Sequence, residues 1–186
     1  MAQKATVCKA TLQIADIDRG LYADHALTVA RHPSETDERM MMRILAFALC
    51  VPADDRDGGL EFAKGMWDPD EPELWQKDLT GRIVQWIEVG QPEERRLAKA
   101  SGRADRVTVY AFGSNATSWW AGLAGRVERA GNVDAWLLPP EQSRALALLA
   151  ERGMQLQINR QDGIVWVADG ERSVELQPRR LSTERP

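Results

Sequence analysis

Cysteine and histidine are scarce in this chain of 186 residues: there are two of each, and none stands in a CxxC or Cys/His cluster. That excludes a disulfide framework and a structural zinc site, and it reads Cys8 and Cys50 as reduced, buried thiols. His25 and His32 read as a solvated side chain and a pre-helix contact rather than as metal ligands. No stretch approaches the roughly 18 apolar residues of a membrane span. The opening MAQKATVCKATLQ also lacks the apolar core of a secretory signal. The expectation is a cytoplasmic protein with no membrane contact. An excess of basic charge is missing too. Lys plus Arg number 24 against 28 Asp plus Glu, for a formal charge of −4 and a pI near 5.3, which argues against a broad surface for non-specific duplex binding. Internal repeats, low-complexity tracts and linkers are absent. With 44% hydrophobic content the length suits one core, so a single domain is expected over 1–176, followed by a polar tail over 177–186.

What is present is a succession of strand and helix patterns. Residues 5–15 alternate, with Cys8, Ala10, Leu12 and Ile14 on one face; a turn at Asp16 to Gly20 leads to a second strand over 21–31. Ser34 is placed to cap a helix over 35–50, with Asp37 answering three residues on, and Met40, Met41, Ile44, Leu45 and Phe47 cover most of its circumference. A short strand is expected over 60–64, then an acidic loop at 68–72 opening a short helix through Trp75. A central strand follows over 83–89, a helix over 92–102, a strand over 106–112 and a helix over 115–129. A strand over 133–138, a helix over 141–152 and a hairpin turning at Asp162-Gly163 complete the pattern. The alternation implies an α/β (α+β) protein: one mixed sheet with helices, flanked by N- and C-terminal hairpins.

Glu88 is the residue that needs explaining. In the central strand Ile83, Gln85, Ile87 and Val89 share one face, while Val84, Trp86 and Glu88 share the other. Both faces are largely apolar, so the strand is covered on both sides, and a charge there is costly unless paired, hydrogen-bonded or bound to metal. Lys99 lies roughly 10 Å along the next helix from Pro92. Glu88 lies roughly 13 Å back along the strand, so a returning helix sets the two at similar height. Arg96 lies three residues before Lys99 on a neighbouring face. Asp78 enters at the start of the same segment. Two carboxylates beside an ammonium suit Mg²⁺- or Mn²⁺-assisted phosphodiester hydrolysis: the acids hold a hard cation, which activates a water, and the lysine orients that water or stabilises developing charge. Glu38 or Glu35 adds an auxiliary acid, Glu38 better on helical phase.

At these residues the chain resembles the YaeQ family of small bacterial proteins. The resemblance runs through His32-Pro33-Ser34-Glu35-Thr36 with Glu38-Arg39-Met40, and Trp86-Ile87-Glu88-Val89-Gly90-Gln91-Pro92 with Glu94-Arg95-Arg96 and Lys99-Ala100. It ends on Gln161-Asp162-Gly163 before Trp166. The resemblance implies a variant of the PD-(D/E)XK nuclease fold with an acid, acid, lysine site. Carried over, Asp78 fills the first acid and Glu88 the second. Gly90 stands where that superfamily has lysine, so Lys99 is the implied migrated replacement, with Gln91 facing the site.

Plainer readings stand beside these. Glu88 with Lys99 or Arg96 is equally an ion pair holding helix to sheet, and Asp78 a turn residue before Thr80-Gly81. Glu35 and Asp37 read as cap and dipole residues, and Asp68, Asp70, Glu71 and Glu73 as a solvated acidic loop. The expectation is a monomeric, metal-dependent nuclease-like phosphodiesterase acting on nucleic acid. Its alternative is a non-catalytic protein that uses the same scaffold to bind a protein or nucleic-acid partner.

Overall fold

The computed structural model describes residues 4–183, and its strands divide between two mixed sheets with four α-helices. In chain order the elements are β1 (Thr6–Asp16), β2 (Leu21–Arg31), α1 (Asp37–Cys50), β3 (Leu60–Phe62), β4 (Leu74–Lys77) and β5 (Ile83–Val89). They continue as α2 (Glu94–Ser101), β6 (Ala104–Phe112), α3 (Ala116–Val127), β7 (Val133–Leu138) and α4 (Pro140–Ala147). The last are β8 (Gly153–Gln161), β9 (Ile164–Ala168), β10 (Ser173–Leu176) and β11 (Arg179–Arg180).

The two hairpins do not flank a common sheet. β8 lies parallel to β1, in register from Lys9↔Gly153 to Asp16↔Arg160, which joins both hairpins into a sheet of their own, ordered β10-β9-β8-β1-β2. The second sheet is ordered β11-β7-β6-β5-β4-β3, with β5, β6 and β7 parallel and β3, β4 and β5 antiparallel. Alternation is a local signal; it marks each strand without saying which distant strand it joins.

α1 fills the space between the sheets. Every residue from Met40 to Leu49 is buried, and the same core takes in Leu12, Val29 and Leu156 of the first sheet and Leu74, Ile87 and Val89 of the second. Phe47 shows the sandwiching directly: its ring meets His25 of β2 edge-on at 5.2 Å and stacks on Phe62 of β3 at 5.9 Å. His25 is thus half-buried rather than solvated. The other face of the second sheet carries a separate core, in which Trp86, Val107, Val109 and Ala135 pack against Leu97 of α2 and Trp120 and Leu123 of α3.

Three local readings change. Thr36, not Ser34, caps α1, its hydroxyl accepting from the Arg39 amide at 3.1 Å, because Ser34 is occupied with the His32 ring at 2.6 Å. Residues 74–77 form a strand rather than the end of a helix, since β4 pairs on both edges, Leu60↔Gln76 and Leu74↔Ile87. Part of the expected tail is structured: β11 pairs Arg179↔Leu137, and Arg180 bonds Asp134 at 2.6 Å, while residues 184–186 of that tail lie outside the described residues. Among the described residues no helix is long and apolar enough to cross a membrane.

Leu45, 2% exposed on α1, faces neighbours that cannot collapse freely because sheets close both sides. Leu45→Ala should lower unfolding free energy by about 2–5 kcal/mol in urea denaturation. Leu79→Ala, at a position 93% exposed, should change it by less than about 0.5 kcal/mol.

Candidate functional site

Strand register decides which acids can meet. β4 and β5 are antiparallel with Leu74 opposite Ile87, and the Glu73 amide also bonds the Ile87 carbonyl at 3.1 Å, so Glu73 and Glu88 lie near each other at the open end of the hairpin and line one cleft. Both are buried, at 3% and 2% exposure. Asp78 sits at the closed end, about 16 Å along the strand from Glu73. There its carboxylate is spent on the turn, accepting from the Thr80 amide at 2.8 Å, the Thr80 hydroxyl at 2.7 Å and the Arg82 amide at 3.0 Å. Those bonds hold its carboxyl below the ordinary range, the Thr80 hydroxyl contributing most. Asp78 and Glu88 therefore cannot share an ion, and the acid beside Glu88 is Glu73.

Glu88 is held through one oxygen. Its Oε1 accepts from Trp86 Nε1 at 2.7 Å and from Arg96 Nε at 2.7 Å; among the described residues nothing donates to Oε2. Arg96 also bonds the carbonyls of Pro69 at 2.8 Å and Glu71 at 2.7 Å, so one guanidinium fixes strand, helix and acidic loop together. Burial pushes the Glu88 carboxyl above the usual range. That outweighs the lowering by Arg96 and Trp86, and the nearby Glu73 charge adds to the rise.

Glu73 belongs to a second, connected set of charges. Arg39 bonds Glu73 through one nitrogen and Glu35 through the other, the latter at 2.9 Å. Arg43 grips Glu35 with two bonds of 2.7 and 2.6 Å. Glu35 precedes the helix proper, because Thr36 is the cap, and its side chain turns inward to these arginines instead of serving the helix end. Gly65, at φ +51°, closes over the Glu73 carboxylate so tightly that a Cβ there would lie 2.3 Å from Oε2. Three carboxylates and three guanidiniums thus neutralise one another across α1, β4, β5 and α2.

The remaining candidates are distributed around this cluster. Gln91 lines the same cleft as Arg39, Glu73, Glu88 and Arg96, its amide donating to the Phe112 carbonyl at 3.0 Å. Lys99 is exposed and paired with Asp70, in an adjacent hollow lined by Trp86, Arg95 and Arg96 rather than at Glu88. Glu38 turns away toward α4, where Ser143 donates to it at 2.5 Å. Gly90 has φ +101°, a backbone region that side chains other than glycine adopt only under strain, so a lysine is disfavoured there by conformation.

Glu73, Arg39 and Arg43 are the members that sequence reasoning passes over. Glu73 reads as one more acid of a solvated loop. The signal that finds it is the turn at Asp78 to Gly81: counting outward from that turn carries Glu73 to the Ile87–Glu88 end of the hairpin.

Because the Glu88 carboxyl titrates higher in the folded chain than when unfolded, folding favours its protonated form. That contribution is present below the unfolded value and is lost as pH rises through the folded one. Urea denaturation from pH 4 to 8 should show the native chain losing stability relative to Glu88→Gln as pH rises. A relative gain would mean that pairing with Arg96, not burial, governs the group.

The sequence of the YaeQ protein family matches residues 1–178. The YaeQ protein of Escherichia coli strain K12 is 41% identical over 177 residues, 95% of each chain, and that of Salmonella typhi is 42% identical over 178 residues, 95% of this chain and 96% of the relative. The crystal structure of YaeQ from Xanthomonas axonopodis pv. citri superimposes with a TM-score of 0.90 at 45% identity, covering 97% of this chain and all of that one. That of YaeQ from Pseudomonas syringae gives 0.85 at 38% identity over the full length of both. The chain, with Glu73 and Glu88 in one cleft and its two separate sheets, belongs to the YaeQ family.

Proposed function

We propose that this chain is a Mg²⁺- or Mn²⁺-dependent phosphodiesterase acting on nucleic acid, built on a nuclease-like core of the PD-(D/E)XK kind, with Glu73 and Glu88 as its two acids. The observation that supports it is the open oxygen of Glu88. A carboxylate with a structural role alone is expected to satisfy both oxygens within the protein, whereas this one takes both bonds on Oε1 and leaves Oε2 reachable from the cleft. A second carboxylate in the same cleft raises the cost of keeping both charged, and perturbed acids of this kind mark functional sites more often than chance would.

The donor set suits a particular ion. Among the described residues no group of three His, Cys, Asp or Glu is placed to hold a metal, which is too few for a zinc or calcium cage. Mg²⁺ takes one or two carboxylates and fills its remaining positions with water and phosphate oxygens. Glu73 and Glu88 would hold such an ion, which would polarise a phosphate oxygen and lower the pKa of a bound water. Arg96 takes the part assigned to lysine as far as charge is concerned: it neutralises a phosphate in the cleft but, always protonated, cannot accept a proton. Gln91 on the rim offers an amide to the same phosphate.

The second reading, a non-catalytic interaction protein on this scaffold, draws on a different observation. Arg96 and Arg39 already neutralise both acids, and Lys99 is paired with Asp70. Divalent cation separates the two. On the enzyme reading, Mg²⁺ or Mn²⁺ at ten times its Kd raises stability by about 1.4 kcal/mol. A mixture of single- and double-stranded DNA and RNA is then cleaved, and folded Glu73→Gln and Glu88→Gln, checked by circular dichroism, lose more than about 100-fold of that activity. Cleavage that survives in both variants, or a melting temperature indifferent to the cation, overturns it.

A further inference from the structure

The face of the second sheet that looks toward the first is not uniformly apolar. Across β5, β6 and β7, adjacent strand positions present Gln85 beside Arg106 and Thr108 beside Asp134, with Tyr110 beside Trp136. The opposite face of β6 carries Val107 and Val109 in a closed core. Polar residues on an inner sheet face are costly unless something uses them. Here they border a cavity of about 310 Å³ that opens beyond Cys50, the last residue of α1, where the helix ceases to fill the space between the sheets. Arg19 and Arg160 close it from the first sheet's side, with Leu49, Val165 and Pro178 as apolar walls.

Part of the donor set lining this cavity lacks protein acceptors, while Arg19 is engaged by Asp16, Ala48 and Val51, Gln85 by Gln76 and Cys50, and Tyr110 by Cys50. Thr108 is only 7% exposed, yet among the described residues its hydroxyl makes no hydrogen bond; the same holds for the Arg106 guanidinium at the mouth and for Trp136 Nε1. Arg160 is held only loosely, at 3.5 Å from Asp16 and 3.2 Å from Asp18. The one acid in the lining, Asp134, is paired with Arg180 at 2.6 Å. A chain whose net charge is −4 therefore concentrates three arginines around one hollow. The volume falls at the lower end of small-molecule sites, and Trp136, Tyr110 and the aliphatic walls suit a flat apolar body.

We infer that this cavity is a binding site, separate from the Glu73 and Glu88 cleft, for a small organic anion: a planar apolar body carrying a carboxylate or a phosphate. Arg106 and Arg160 meet the charged head, Thr108 donates to it, and Trp136 and Tyr110 border the body.

Isothermal titration calorimetry of the full chain with phenyl phosphate, benzoate, inorganic phosphate and benzyl alcohol, with tryptophan fluorescence in parallel, tests this. One or both aryl anions should bind saturably at one site, and the one that binds more tightly identifies the head group. The head-only and body-only probes should bind at least about tenfold more weakly, each tenfold being 1.4 kcal/mol. Arg106→Ala removes a side chain with no protein partner, leaves the fold intact and should weaken the aryl anion by about tenfold or more. Arg56→Ala, an exposed arginine of the 52–59 loop, should not. Absence of saturable binding of either aryl anion up to about 10 mM, or binding that Arg106→Ala leaves unchanged or that Arg56→Ala weakens equally, overturns the inference.

Discussion

A single guanidinium, Arg96, joins three parts of the chain at once. Its three nitrogens reach the Glu88 carboxylate in β5 and the carbonyls of Pro69 and Glu71 in the loop before β4, while its backbone anchors α2. Glu88 is almost wholly buried, so leaving it unpaired would cost several kcal/mol. The position of α2 over the sheet is therefore coupled to the seating of one carboxylate. Arg39 plays the same part on the other side of the cleft, between Glu35 ahead of α1 and Glu73 ahead of β4. Two arginines thus set the walls of the cleft, and two acids its floor.

Much of the architecture was legible because it is written in local periodicity. β1, β2, β5 and β7 fall where alternation places them, and α1 has the all-round apolar surface of a helix covered on more than one side. The joining of the hairpins into their own sheet was not legible, since β1 and β8 meet across more than a hundred residues and nothing in either strand names the other. The 74–77 segment misled for a related reason. Pro72 ahead of Leu74-Trp75 imitates a helix start, and only strands pairing on both sides make it β4.

At the cleft, Glu88 stood out because a lone acid in an apolar strand has few explanations, and Arg96 was found by helical geometry. Lys99 was expected at the height of Glu88, but its side chain pairs with the loop acid Asp70 instead. Asp78 and Glu73 exchanged roles. Each is an acid near the β4–β5 hairpin, and composition cannot tell the closed end from the open one. Register can, and register is a property of the pair rather than of either strand. Gly90 carries a further lesson: where lysine was expected the backbone takes a positive φ that favours glycine, a feature that reads in sequence as a mere substitution.

Gly65 sits in a short surface turn whose neighbours Met66 and Trp67 are open to solvent. Seen from outside, that turn would pass as ground where sequence is free to drift. From inside it is a wall of the carboxylate's chamber, thin because it lacks a side chain. Remodelling of the outer loop would therefore be transmitted to the floor of the cleft without touching an acid.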